Sequence, residues 1–301
     1  MIKRTLYFGN PAYLSKKDNQ LKIELLEGNE ANKIITVPIE DIGIIILDNP
    51  QITVTQAVMS GLIENNSALV TCAPNHIPNG LLLPLEGNHI QSERFAEQIN
   101  ASAPLKKQLW RQTVKAKIFN QALLLDSIGK ESKNMKTWSS KVSSGDKNNL
   151  ESRAAVYYWK NIFDTIPDFI RQRDGDIPNS FLNYGYAVLR AITARSLVGS
   201  GLLPTLGIHH HNKYNAYCLA DDIMEPYRPY VDAIVLDILN KFPREEEITK
   251  DIKKMILELP VKDVKMEKEE SPLMIAMQRT TASLAKCFAG DERNLLYPLF
   301  S

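Results

Sequence analysis

The chain carries only three cysteines in 301 residues, and Cys72, Cys218 and Cys287 form no CxxC pair. That spacing argues against a disulfide framework and a thiolate zinc site, and it fits a reducing cytoplasm. Long hydrophobic runs are missing as well. The most apolar stretch, Ile42 to Leu47, has the length of a strand and falls far short of the ~20 residues a helix needs to cross a bilayer. The opening MIKRTLYFGNPAYL has neither the apolar core nor the small-residue cleavage site of a secretion signal, so a cytoplasmic location without membrane attachment is expected. Internal repeats are absent, and so is a strong net charge: 36 Lys and Arg face 35 Asp and Glu, a balance of +1. Overall charge therefore gives no sign of a polyanionic partner. Its distribution gives a little more, because the first hundred residues hold 7 basic against 11 acidic side chains and the remainder 29 against 24. A polyanion, if bound, is expected to meet the C-terminal part.

What is present divides into two periodicities. Up to about residue 90 the pattern is that of strands. Tyr13–Leu14 and Leu21–Ile23 flank the polar Lys17-Asp18-Asn19 turn as a hairpin. Ile34–Val37 and Ile42–Leu47 are rich in β-branched residues and end in turn formers such as Asp48-Asn49-Pro50. A helix is predicted from Val54 to Glu64, with strands at Ala68–Cys72 and Leu81–Leu85. From Ser92, read as an N-cap, the period becomes helical. Between Leu105 and Ile128, Trp110, Val114, Ile118, Ala122 and Leu125 form one apolar stripe. Lys130 to Asn149 is rich in Ser, Lys and Asn and reads as a loop or linker. The fold class expected is α+β: a β-rich, sandwich-like domain over 1–90, followed by a larger all-α domain over 91–301.

Two segments carry candidate chemistry. Glu151 falls at the start of a helix and is expected to share a face with Ala155, Tyr158 and Phe163. An acid on an apolar face calls for a cation or donor, but a first-turn carboxylate is also favoured by the helix dipole alone. The second segment is Gly207-Ile208-His209-His210-His211, followed by Asp222 and Glu225 three residues apart, a spacing that puts both carboxylates on one side of a helix. Imidazole with hard carboxylate oxygens suits Mg²⁺ or Mn²⁺, with zinc also allowed by ligand type. An ordinary surface loop beside a solvated acidic helix is the plainer alternative. Lys107, Arg111 and Lys115 repeat at i+4 on another face of the long helix, as a solvated stripe or as phosphate contacts.

Taken together and in order, GDKNNLESRAAVYYW, NSFLNYGYAVLRA, GLLPTLGIHHH and LADDIMEPYRP resemble CRISPR-associated protein one, the integrase subunit of CRISPR spacer acquisition. The flavour is that of systems with a single large effector nuclease (type II). The resemblance extends over most of the chain, including SPLMIAMQRTTASLAKCFAGDERNLLYP. It implies three metal ligands, matched here by Glu151, His210 and Glu225, with Asp222 as a secondary one; His209 or His211 is an alternative to His210. It implies Mg²⁺ or Mn²⁺ as cofactor and insertion of short foreign DNA into the CRISPR array by transesterification from DNA 3′-hydroxyl ends. The implied partners are double-stranded DNA, the small acquisition subunit (CRISPR-associated protein two) and the large effector nuclease. The implied assembly is a homodimer through the N-terminal domain, two dimers being bridged by the small subunit. Under this reading Lys107, Arg111, Lys115, Lys117 and Arg228 become candidate DNA contacts, although Arg228 is equally suited to an ion pair with a helix acid. The competing expectations are a metal-dependent nuclease that only hydrolyses DNA, and a non-catalytic DNA-binding scaffold.

Overall fold

The Lys17-Asp18-Asn19 turn does what its composition predicts: Asp18 and Asn19 both take positive φ, at 49° and 58°, the conformation that matches the twist of a two-residue hairpin. It joins β2 (Ala12–Lys17) to β3 (Gln20–Leu25) in antiparallel register. The computed structural model describes residues 3–27, 33–172 and 175–301, and the chain falls into two units, Met1–Gly87 and Asn88–Ser301.

The first unit holds two four-stranded sheets among the described residues. One runs β1 (Arg4–Phe8), β5 (Ile42–Leu47), β7 (Ala68–Cys72), β8 (Pro78–Leu82), with β1, β5 and β7 parallel and β8 antiparallel. The other runs β4 (Ile34–Pro38), β3, β2, β6 (Thr53–Val54). Phe8, Ile42, Ile45 and Leu69 from the first sheet share one core with Ala12, Leu14, Leu21 and Ile23 from the second. Val58 and Leu62 of α1 (Gln56–Glu64) complete it. β5 lies between two parallel neighbours and is buried at five of its six positions, which is why its sequence is a continuous apolar run instead of an alternation. β8 starts at Pro78, three residues before the expected Leu81. The Ala73–Ile77 turn closes tightly, with the Ala73 N–H donating to Ile77 O at 2.9 Å, so pairing with β7 begins earlier.

The second unit is mainly helical: α2 (Gln91–Asn100), α3 (Ala103–Ser127), α4 (Lys133–Lys141), α5 (Leu150–Ile162), α6 (Asn179–Gly199), α7 (Cys218–Met224), α8 (Arg228–Lys241), α9 (Lys250–Leu257) and, after a hairpin of β9 (Asp263–Met266) and β10 (Glu269–Pro272), α10 (Leu273–Ala289). The hairpin corrects the expectation of a purely helical second domain. The whole is an α+β protein. α3 buries Trp110, Val114, Ile118, Ala122 and Leu125, the stripe its spacing predicts. α6 is buried along most of its length. A side chain at Gly185 would collide with Val231 of α8, so glycine permits that close helix crossing. In the described residues no helix is long and apolar enough to span a membrane.

Two expectations fail here. The stretch from Lys130 to Asn149 is not a loop: it contains α4 and a 3-10 turn at Ser144–Asp146. Its burial falls on Ser132, Met135, Ser139, Val142 and Asp146, and the Ser139 hydroxyl donates to Lys115 O of α3 at 2.9 Å. The buried positions keep helical spacing, but two of them are serines, so the apolar pattern alone does not show the helix. Ser92 lies inside the first turn of α2, whose entry is shaped instead by Asn88 Oδ1 accepting from the Ile90 N–H at 3.1 Å.

Candidate metal centre

Glu151 is positioned from below. Asp146, at the end of the 3-10 turn, accepts the Leu150 N–H at 3.0 Å and the Glu151 N–H at 2.9 Å, satisfying two of the free donors at the start of α5. The buried line of α5 is Leu150, Ala154, Tyr158 and Ile162. Glu151 stands beside this line, on the side of Ala155 and Tyr158 as its spacing predicts, with Phe163 at the C-cap just past the helix. Glu225 comes from the 3-10 turn Glu225–Tyr227 that follows α7. That turn is pinned to α3, because the Asn120 side-chain amide donates to Pro226 O at 2.8 Å.

Three residues before Asn120 on the same helix, Lys117 points into the gap between the two acids. Its Nζ lies 2.7 Å from Glu151 Oε1 and 2.7 Å from Glu225 Oε2. Arg228 takes the other oxygen, with Nη2 at 2.9 Å from Glu225 Oε1. Burial pushes the Glu225 carboxyl up, but the Arg228 and Lys117 charges outweigh it and hold it below the usual carboxylate range. Burial likewise opposes the Lys117 ammonium, which Glu225 and then Glu151 keep above its ordinary value.

The histidine loop is built on Asp222, a fully buried carboxylate of α7. It accepts the backbone N–H of His209 at 2.9 Å and of His210 at 3.3 Å, and it also binds His210 Nδ1. With Nδ1 as the donor in that bond, the neutral imidazole leaves its lone pair on Nε2. Gly207 is required beneath: a Cβ there would meet His210 O and stand 2.8 Å from Asp222 Oδ2. The His209 ring stacks on buried Trp110, centroids 4.1 Å apart and planes 3° from parallel, while His210 meets that indole edge-on at 5.6 Å. The hydrogen bond to Asp222 pushes the His210 imidazole up, against burial and with help from Glu225 and Glu151. Burial and the neighbouring His210 push His209 down. His211 is exposed.

The basic residues separate into different settings. Lys107, Arg111 and Lys115 lie exposed along α3, with Arg111 Nε donating to Val142 O at 2.9 Å. Arg111 and Lys115 join Arg293 in a groove of about 1070 Å³ whose lining includes Phe119 and Tyr297 and no Asp or Glu. Arg293 had no signal in the sequence, since it stands directly after Asp291 and Glu292. Lys117 leaves that stripe for the acids, and Arg228 adopts the ion-pair alternative. Arg228 also lies over the Tyr186 ring at 4.7 Å, with Arg171 over the same ring at 5.2 Å. Tyr186 and Tyr158 donate their hydroxyls to opposite oxygens of buried Asp232, at 2.5 and 2.7 Å. This tyrosine–aspartate junction of α5, α6 and α8 was not visible in the pattern.

Carboxylate oxygens and an imidazole nitrogen are the donors Mg²⁺ or Mn²⁺ takes, and Glu225 Oε2 is buried with a charge contact but without an aligned hydrogen bond. Among the described residues, however, no three His, Cys, Asp or Glu side chains lie close enough together to hold an ion. The donor set fits; the ammonium of Lys117 stands where its two acidic members meet.

A family model for CRISPR associated protein Cas1 matches residues 6–258 of the chain. The chain belongs to the Cas1 family. It is 35% identical over 285 residues to the CRISPR-associated endonuclease Cas1 of Neisseria meningitidis serogroup C, covering 94% of this chain and 91% of that one. A second Cas1 endonuclease, from Pyrobaculum aerophilum, is 24% identical over 274 residues, covering 87% and 92%. Among solved structures, a casposase bound to integration product superposes with TM-score 0.81 at 20% identity, over 98% of this chain and 92% of that one. A Cas1 protein from Thermotoga maritima superposes with TM-score 0.76 at 16% identity, over 96% and 98%. These two likenesses establish the Cas1-type fold.

Proposed function

We propose that this Cas1-family chain is a CRISPR adaptation integrase that joins the 3′-hydroxyl ends of a short foreign DNA to the CRISPR array by metal-dependent transesterification. The observation that carries this reading is the convergence of Glu151 and Glu225, from separate elements, on one cationic centre beside the His210 loop. Glu151, His210 and Glu225 would hold Mg²⁺ or Mn²⁺, with Asp222 orienting His210 through its Nδ1–H. Bound there, the ion would activate the attacking 3′-hydroxyl and offset charge on the phosphate oxygens. Arg228 keeps Glu225 ionised and aimed, and Asp146 fixes the turn that carries Glu151. His210 is favoured over its neighbours because Asp222 fixes its tautomer, whereas His209 is stacked on Trp110. The exposed Lys107, Arg111 and Lys115, with Arg293, suit phosphate contacts whose affinity falls steeply with salt.

Double-stranded DNA is the substrate under this reading, and the small Cas2 subunit is the partner. The superposing structures include a Cas6-RT-Cas1–Cas2 complex, with TM-score 0.72 at 18% identity. A homodimer through the N-terminal β-rich unit, with two dimers bridged by Cas2, and contact with a large effector nuclease complete the proposed assembly, in the cytoplasm. The test is strand transfer of a short duplex into a repeat-bearing plasmid with Cas2 and Mn²⁺ or Mg²⁺. Joined or branched products are expected, and Glu151→Ala and Glu225→Ala should abolish them. Full activity in those variants would remove the site assignment; fragments without joined products would mean a hydrolytic nuclease, and unchanged DNA a binding scaffold.

A further inference from the structure

Lys117 is the last of five basic side chains on α3, yet it does not face solvent with Lys107, Arg111 and Lys115. Its side chain is 13% exposed and its ammonium bridges Glu151 and Glu225, which come from α5 and from the turn after α7. The backbone around it is locked. Val114 and Ile118 are fully buried, and Asn120 bonds to Pro226 O at 2.8 Å and to Pro298 O at 3.0 Å. Any adjustment at this point must therefore be made by the four-carbon lysine stem.

Two carboxylates brought this close, one of them nearly inaccessible, need a cation between them to offset repulsion and lost hydration. Arg228 does not serve, since it binds the far oxygen of Glu225 and is packed over Tyr186. A divalent ion ligated by the same oxygens, at roughly 2.1 Å, would occupy the directions the ammonium now uses. It would also place two positive centres within contact distance, where little water screens them. The two cations exclude each other.

We propose that Lys117 is a tethered counter-cation that holds Glu151 and Glu225 together and must yield its place when a divalent ion binds, so that it sets the ion affinity of the site. This rests on the reading of Glu151 and Glu225 as ligands. Lysine suits the task because its ammonium is a compact point charge on a flexible stem; an arginine fork would grip both carboxylates and leave less readily.

The experiment is Mn²⁺ binding to the full chain by titration calorimetry and by Mn²⁺ electron paramagnetic resonance, without DNA, at one pH and salt. Lys117→Met is expected to bind Mn²⁺ about tenfold more tightly than the parent, which corresponds to about 1.4 kcal/mol. Lys117→Arg is expected to bind it more weakly than the parent, and Glu225→Gln to lose it. Equal or weaker binding by Lys117→Met overturns the proposal. If that variant does not fold without the ion, the arginine variant decides, and affinity equal to or above the parent's overturns it. Mn²⁺ binding that survives Glu225→Gln unchanged removes instead the assignment of the ligands, and the competition with it.

Discussion

Glu225 and Asp232 stand seven residues apart, both buried, at 5% and 1% exposure, and the protein treats them in opposite ways. Glu225 meets two cations, Lys117 and Arg228, and its carboxyl is held below the usual range. Asp232 meets two tyrosine hydroxyls, and burial pushes it up to about 6 although Tyr186 and Tyr158 donate to it. Desolvation acts in the same direction on both, so the partners decide the sign. Neutral donors satisfy the oxygens of Asp232 without supplying charge, which makes a fixed junction of three helices. Paired cations keep Glu225 ionised, which makes a site for a positive ion.

The strongest way to break this contrast is to remove a cation from Glu225. Arg228→Leu leaves a buried carboxylate with Lys117 alone, and a loss of about 3 kcal/mol is expected, the range for breaking a buried pair from one side. Urea denaturation at pH 7.5 measures it. A loss well under 1 kcal/mol would place Glu225 among solvated ion pairs and dissolve the difference from Asp232.

The pH dependence of Asp232 is the next largest effect. Its folded value, about 6, lies above the ordinary 3.8, so the native state holds the proton more tightly than the unfolded chain does. Its contribution to stability is complete below about pH 3.8 and is lost as pH rises through 6. Asp232→Asn removes that charge while keeping polar atoms for both tyrosines. The variant is expected to gain about 2 kcal/mol relative to the parent between pH 4 and pH 8. Parallel denaturation curves at those pH values test it, and a constant difference would show that Asp232 does not titrate in this window.

A smaller effect is expected at Asp146, whose carboxylate holds the first turn of α5. Asp146→Ala should cost about 1 kcal/mol as a lost helix cap and should lower strand transfer by more than the stability loss accounts for, because Glu151 rides on that turn. Asp146→Asn, which retains one acceptor, should recover part of both. Equal strand transfer in all three proteins would separate Glu151 placement from the cap.

Strands and the long helix were legible because burial there follows a regular period: β5 is apolar throughout, and α3 repeats its core residues every three or four positions. α4 escaped because its buried line, Ser132, Met135, Ser139 and the following Val142, keeps helical spacing but includes two serines, so the apolar pattern alone does not show the helix. The candidate site was legible through Gly207, the histidine run and the Asp222/Glu225 spacing, all within one short segment. Lys117 and Asp232 were not, since each acquires its role from residues many turns away. A lysine two positions beyond an i+4 basic stripe carries no mark of the acids it will meet, and Asp232 gives no hint of Tyr158 or Tyr186.

The smallest prediction asks whether the two carboxylates are independent. Tyr186 touches both settings: its hydroxyl donates to Asp232, and its ring lies under Arg228, the partner of Glu225. Tyr186→Phe removes the hydroxyl and keeps the ring; Tyr186→Leu removes both. The hydroxyl should be worth about 1 kcal/mol as a buried hydrogen bond, and the ring about 0.5–1 kcal/mol more through the cation above it. Combining Tyr186→Phe with Arg228→Leu should therefore be nearly additive, whereas Tyr186→Leu with Arg228→Leu should fall short of the sum by about that ring contribution. Additivity in both cycles would mean that the ring merely fills space and that Arg228 is held by Glu225 alone. Non-additivity confined to the leucine cycle would show that the tyrosine–aspartate junction steadies the cation that keeps Glu225 charged.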